Sequence, residues 1–454
     1  MKRKRVSTLI VMVVFATLLS NQKAPAQSAL DQYIREGLEH NRVLKQKEIS
    51  LEQARQSLKI ARSYFMPSVN IVADYTSGSG GRSIEMPIGD LLNPVYRTLN
   101  ELTDSDNFPQ IENVEQNFFP RNFYDARIRT SMPLFNTDLH VNRTISGHKV
   151  QLKEYEVLLY RRDLVFEIKR AYYNYLNARA AAKIYESAEK LVHKNVEVNE
   201  SLLRNGKNLP AYVLRSKSEA EKIKAELNNA RNQVINAQRY LNFLVNRDLG
   251  AEVVEDASDP AEDLVDDLET GVERREELAI VRTASEIHES TLSLHRLSRI
   301  PKLHGFIDLG SQAENWRVNT NSRYYLVGLQ LTLPVFQGFR NNIQIKQAKL
   351  ELDKTDLDAK NLQTQLQLAA ELAERDLLTA RANHAAAKEQ LSAAKSYFTL
   401  IEKGYQQGIN SLIEFIDARN QLTSSELQLS VRRQELLIAA ASLERETSSF
   451  NFPN

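Results

Sequence analysis

Ser131-Met132-Pro133-Leu134-Phe135 and Thr332-Leu333-Pro334-Val335-Phe336 carry one pattern twice, with their prolines 201 residues apart. Each closes a run of alternating polar and apolar residues and opens a long stretch poor in helix breakers. Upstream, no Gly or Pro lies between Gly37 and Pro67, and none between Gly271 and Pro301, two equal intervals. Downstream, His148 to Asn205 and Phe339 to Lys403 are each interrupted by neither residue except at their borders. Turns then follow at Asn205-Gly206-Lys207-Asn208 and Gln407-Gly408-Ile409-Asn410, with Gly206 and Gly408 202 residues apart. Self-similarity at this many points means an internal duplication.

The breaker-free segments carry heptads. Val150, Val157, Leu164, Ala171, Ala178, Tyr185 and Val192 fall at strict sevens, as do Leu352, Ala359, Leu366, Ala373, Ala380, Ala387 and Ala394, in register at the 202 offset. Past the turns, Val213, Ala220, Leu227, Val234 and Leu241 continue the pattern, matched by Phe415, Leu422, Leu429, Leu436 and Leu443. A sustained seven-residue repeat imposes a left-handed supercoil. A helix of about 60 residues spans roughly 90 Å, so these segments predict coiled, elongated helices.

The alternating runs predict strands. Val69, Ile71, Ala73 and Tyr75 oppose Ser68, Asn70, Asp74 and Thr76; Tyr124, Ala126, Ile128, Thr130 and Met132 oppose Asp125, Arg127, Arg129 and Ser131. The second copy has Leu303, Ile307 and Leu309 against Lys302, His304 and Asp308, returning through Tyr325, Val327, Leu329, Leu331 and Leu333. About ten residues with one apolar face suffice to cross a bilayer as a tilted strand. Asp125, Arg127 and Arg129 share the other face, as a water-filled lumen requires; a half-exposed soluble sheet is the competing reading. Four strands close no membrane barrel, since the smallest have eight, and an open edge in lipid leaves backbone groups unpaired. Oligomerisation follows: two protomers give eight strands and three give twelve, and a conducting pore favours three. The first hairpin, residues 67–133, exceeds the second, 301–334, by an insertion of about 33 residues, read as a long outer loop within residues 77–122.

Lys2-Arg3-Lys4-Arg5, the apolar run Thr8 to Leu19, and Ala24-Pro25-Ala26 predict a cleaved signal peptide over residues 1–26. Cysteine is absent, which removes disulfides, thiolate metal sites, a cysteine nucleophile and a lipid-modified N-terminal cysteine. A net charge of +1 provides no general attraction for nucleic acid. The expected organisation is a first repeat over 27–247 with a tip turn at 205–210, an acidic equatorial linker over 248–271, and a second repeat over 272–454 with a tip turn at 404–410. The linker holds ten acidic residues and no basic one between Asp248 and Glu269. The eight histidines are scattered without ligand spacing, and no nucleophile elbow, phosphate loop or paired-carboxylate motif stands out. Neither an enzyme nor a cofactor is expected.

This pattern resembles the TolC family of outer-membrane efflux and secretion channels over the whole mature chain. The carrying residues are Pro67 and Pro301 entering the strand pairs, the exits Pro133-Leu134-Phe135 and Pro334-Val335-Phe336, and the tips. The most specific of these is the stretch from Tyr405-Gln406-Gln407-Gly408-Ile409-Asn410 through Glu414-Phe415-Ile416-Asp417-Ala418. The resemblance implies a mainly α fold with four strands per protomer, a homotrimer with a twelve-stranded β-barrel in outer-membrane lipid, and a long periplasmic α-helical tunnel. It also implies a periplasmic adaptor (membrane fusion) protein and an inner-membrane pump of RND or ABC type as partners. The family's closing links and constriction ring match Tyr405, Asn410, Glu414 and Asp417. Asn410 stands where the family has Arg, so a charge-assisted link is lost there, and at the first tip Tyr212 stands where a carboxylate is usual. Glu414 and Asp417 read equally well as solvated carboxylates near a helix N-terminus. Gly206, Lys207, Gly408 and Ile409 are the expected adaptor-contact rim. A periplasmic coiled-coil scaffold without a pore is the alternative to a channel.

Overall fold

The computed structural model describes residues 28–119, 121–207, 209–255, 271–450 and 452. The signal-peptide segment 1–26, residue 208 of the first tip turn and most of the acidic linker, residues 256–270, lie outside the described residues.

The chain is mainly helical. Short helices α1 (Ala29–His40) and α2 (Arg42–Ser63) lead to strand β1 (Ser68–Thr76). Strand β2 (Ser83–Met86), helix α3 (Ile88–Thr103) and strand β3 (Val114–Asn117) follow, then β4 (Phe123–Phe135). Helix α4 (Thr137–Arg204) turns into α5 (Pro210–Leu244). The second copy repeats the order with α6 (Glu276–Leu297), β5 (Lys302–Glu314), β6 (Arg323–Thr332), α7 (Arg340–Gln406) and α8 (Leu412–Thr447). Among the described residues no helix is long and apolar enough to cross a membrane.

Internal packing divides the chain into two units. The first, residues 55–148 and 286–352, holds the sheet. Its four strands lie antiparallel in the order β1-β4-β5-β6, so β4 of one copy pairs β5 of the other while β1 and β6 remain edges. Opposed residues share a face, and the register sorts the faces cleanly. Val69, Ile71, Ile128, Ile307, Leu309, Val327, Leu329 and Leu331 all point one way and are exposed. At one end of that face Trp316 stacks on Tyr75 and Tyr124, with centroids 5.6 and 5.4 Å apart. The insertion differs from the expected plain loop: β2 pairs β3 and α3 spans sixteen residues between them.

The second unit, residues up to 54, 149–285 and from 353 onward, holds the tips. Heptad positions Val157, Leu164, Ala171, Ala178 and Val192 are buried, as are Leu366, Ala373, Ala380, Ala387 and Ala394. The largest core joins Tyr33, Ile34 and Leu44 to Leu164, Ile168 and Tyr172 of α4 and to Leu241 and Val245. Beside it, Arg275 donates to Glu277 at 2.5 Å and pairs with Glu446, and Arg162 pairs with Glu276 at 2.6 Å. Burial tends to raise the Glu277 carboxyl, but the hydrogen bonds from Arg275 and from its own backbone N–H, together with the charges of Arg275 and Arg445, outweigh it and hold the group below its ordinary value.

Candidate functional site

Three groups of the expected site residues can be placed, two at the tips and one on the sheet. The tips begin as twins. At each, a glycine in left-handed conformation ends the long helix, Gly206 at φ 68° and Gly408 at φ 75°. The backbone closes in the same way: Gly206 N donates to Leu203 O at 2.9 Å and Lys207 N to Leu202 O at 2.9 Å. At the second tip Gly408 N donates to Tyr405 O at 3.1 Å and Ile409 N to Gly404 O at 2.8 Å. This crossed pair satisfies carbonyls that a helix end leaves free, and it requires a residue that tolerates positive φ. Gly206, Lys207, Gly408 and Ile409 are all exposed.

The next helix starts differently at each tip. Leu209 precedes α5 without a side-chain cap, and Pro210 supplies the first turn. Ser411 precedes α8 in a capping box: its hydroxyl accepts from Glu414 N at 3.3 Å, and Glu414 Oε2 accepts from Ser411 N at 2.6 Å. Asn410 Nδ2 donates to the same carboxylate at 3.4 Å. These donors hold the Glu414 carboxyl below its ordinary value, the backbone N–H of Ser411 foremost. Asn410 also sits against Gly404, where an added Cβ would overlap its Oδ1.

Tyr405 faces the first tip. Its ring stacks on Phe415 at 4.9 Å, and its hydroxyl donates to Asn199 Oδ1 at 3.3 Å. Asn199 is fully buried and bound to Asn195 and Ser216. Phe398, Leu412, Phe415, Ile416 and Ala418 form an apolar cluster that takes in Leu191 and Tyr212 from the first tip. Tyr405, Asn410 and Glu414 therefore share one turn, whereas Asp417 is exposed one turn further on.

Sequence reading missed the strongest link between the tips. Arg419, one turn and a half beyond Glu414 and only 2% exposed, donates to Glu219 of α5 at 3.2 Å. Arg215 meets the same carboxylate from the solvent side at 3.0 Å. Arg419 Nη1 finds no acceptor among the described residues. Burial lowers the Arg419 guanidinium from its ordinary value despite the pull of Glu219. The two residues are 200 positions apart, and no local motif marks either.

On the sheet, Asp125, Arg127 and Arg129 lie on the face opposite the exposed apolar one. Arg127 pairs with Asp125 and, at 3.1 Å, with Asp74. Arg129 forks onto Asp308 at 2.7 and 2.6 Å and lies over the Phe306 ring at 5.0 Å. Tyr324 donates to Asp125 at 2.7 Å. Three carboxylates thus meet two guanidiniums. Asp74 and Asp308 were legible as polar strand positions, but their partners depend on register; Tyr324 gave no signal. Among the described residues no group of His, Asp and Glu is placed to hold a metal ion.

The sequence matches the family model described as outer membrane efflux protein over residues 33–247 and 272–447. It is similar to the outer membrane protein TolC of Escherichia coli (strain K12), 20% identical over 422 residues that cover 88% of this chain and 78% of that protein. The fold is similar to that of the Campylobacter jejuni CmeC outer membrane channel, with a TM-score of 0.75 at 16% identity, covering 92% of this chain and 85% of that one. It is also similar to the open-state Neisseria gonorrhoeae MtrE outer membrane channel, with a TM-score of 0.74 at 15% identity over 94% and 93% of the two chains.

Proposed function

Because this chain belongs to the outer membrane efflux protein family, a family of channels and not of enzymes, we propose that it is the passive outer-membrane duct of a tripartite export system. The observation that carries this reading is the four-stranded sheet with two open edges, an exposed apolar face and a charged opposite face. In lipid, unpaired edges cost several kcal/mol per group. Pairing β1 of one copy with β6 of the next removes every edge, and three copies give a twelve-stranded barrel. The apolar face then meets lipid, with Tyr75, Trp316 and Tyr124 at the interfacial level that suits amphipathic rings. The polar face lines water, and its charged cluster is nearly self-neutralised.

The periplasmic entrance is assigned to the second tip. Tyr405, Asn410 and Glu414 shape the turn, and Asp417, repeated around a threefold axis, forms an acidic ring that favours cations. The buried Arg419–Glu219 pair holds the closed arrangement and replaces the link lost at Asn410. The exposed rims at Gly206-Lys207 and Gly408-Ile409 suit a periplasmic adaptor, with an inner-membrane pump supplying the energy.

Planar-bilayer recording of the purified protein tests this reading, with Asp417→Ala beside it. Discrete cation-preferring openings are expected, with the preference weakened in the variant. Absence of discrete pores would sink the duct, and unchanged selectivity would sink the Asp417 ring. Release of the protein from membranes by carbonate would favour a soluble scaffold instead.

A further inference from the structure

Helix α3 in the insertion is turned inside out. Surface helices bury an apolar stripe on their own domain and show polar residues to water. Here the side held by the chain is chiefly amide, with the Tyr96 ring beside Phe108 at 5.8 Å. Asn93 Nδ2 donates to Ile111 O at 2.9 Å while its Oδ1 accepts from Ile111 N at 2.8 Å. Asn100 grips Phe108 in the same two-way manner, at 2.8 and 3.0 Å. Asn113 reaches back to Asp90, accepting from its N at 3.1 Å and donating to its carboxylate at 3.0 Å. Gly89 is buried against Ile111 and Asn113, too close for any Cβ.

The apolar stripe is left mostly outside, with Leu99 half-buried. Ile88, Leu91, Leu92, Val95, Leu99 and Leu102 recur at helical spacing on one face, with Leu91 70% and Leu102 78% exposed. Asp90, Arg97 and Glu101 fall on a third face, roughly half a turn away from that stripe at 100° per residue. An apolar stripe that the rest of its own segment avoids, on a helix fixed by three asparagines, marks a contact site.

We propose that this face of α3 packs against a neighbouring copy of the same chain at the outer end of the barrel. The proposal rests on the trimeric reading above. Two observations choose the occupant. The insertion leaves from Thr76, the end of β1, and β1 is an edge strand of the sheet, where the trimeric reading places the next copy. The alternative, a lipid surface, is disfavoured by charge: residues 77–122 hold seven acidic and three basic residues. Interfacial helices that bind anionic membrane carry Lys and Arg on the polar face.

The natural absence of cysteine makes the test clean. Leu91→Cys and Leu102→Cys report on the apolar face, and Arg97→Cys and Glu101→Cys on the charged face, each in the full-length protein in membranes and carrying a thiol-linked photo-cross-linker, because a threefold contact is heterologous and sets a single cysteine opposite a different residue of the neighbour. Covalent species larger than one chain are expected from the first pair and not from the second. The mass of the detergent-solubilised protein is measured in parallel by light scattering. A three-chain mass without apolar-face cross-links overturns this contact and leaves the trimeric duct standing. A one-chain mass overturns the trimeric reading and the contact with it. Quenching of a thiol-linked fluorophore at Leu91→Cys by lipid-phase quenchers, in place of cross-linking, would assign the face to the membrane and also overturn the proposal.

Discussion

The two tips share a backbone and differ in nearly every side chain that matters. Both long helices end on a left-handed glycine with the same crossed hydrogen bonds. Moving 202 residues from the first tip to the second, Leu209 becomes Ser411, Tyr212 becomes Glu414, Val213 becomes Phe415 and Arg215 becomes Asp417. The first tip is an uncapped turn whose Asn195, Asn199 and Ser216 bond inward to one another. The second is capped, aromatic and acidic, and it reaches across to the first through Tyr405 and Arg419. Reversing a helix of 67 or 68 residues is a backbone problem with few solutions, so it is solved alike twice. Closing an entrance, the role proposed for the second tip, is a side-chain problem, and the two copies bring different side chains to it.

The largest test of that contrast is the cross-tip ion pair. Glu219→Leu leaves Arg419 buried and uncompensated and should cost about 3–5 kcal/mol, read as a lower midpoint of helical unfolding. The double variant Glu219→Leu with Arg419→Leu should recover most of this, because two packed leucines need no desolvated charge. If the double variant is as weak as the single, the pair is not what joins the tips.

The glycines should behave alike. Among the described residues beyond its chain neighbours, no atom lies within 4 Å of a Cβ added at Gly206 or Gly408, so alanine at either meets chiefly backbone strain of about 1–2 kcal/mol. Unequal losses would break the claim that the turns are twins. The caps should behave differently. Ser411→Ala removes a capping box and should cost about 1 kcal/mol, whereas Leu209→Ala removes no cap and should cost less. Local hydrogen exchange at Leu412–Phe415 against Tyr212–Arg215 reads this directly.

Tyr405→Phe keeps the stack on Phe415 and deletes one hydrogen bond to Asn199, a loss of about 1 kcal/mol or less. A few-fold rise in open probability is expected, with no change in folding. The smallest effect is a pH dependence confined to the second tip. The folded Glu414 carboxyl lies below its ordinary value, so its contribution is fully present above the usual carboxylate range, about 4.3. That contribution is lost as pH falls through the depressed value. Amide exchange at the second turn should accelerate there, and the uncapped first turn should not follow it.

The insertion marks a limit of composition as a guide. Gly78, Pro87, Pro94, Asn93 and Asp104 read as loop, yet α3 forms through Pro94. Asparagines that weaken a helix in isolation here bind the returning loop at Phe108 and Ile111, which a count of residue types cannot register.

The amino-acid sequence by itself determined the duplication, the coiled helices, the strand faces and the two glycine turns. Each rests on a period of two or seven, or on one residue with unusual backbone freedom, and such signals survive in one dimension. Only the tertiary structure decided that the two strand pairs join into one sheet through β4 and β5, that Asp308 answers Arg129, and that Arg419 finds Glu219. Those pairings span some 180 to 200 residues. They depend on how strands and helices slide into register, and that register is set by the packing of whole faces, which no local stretch of the chain encodes.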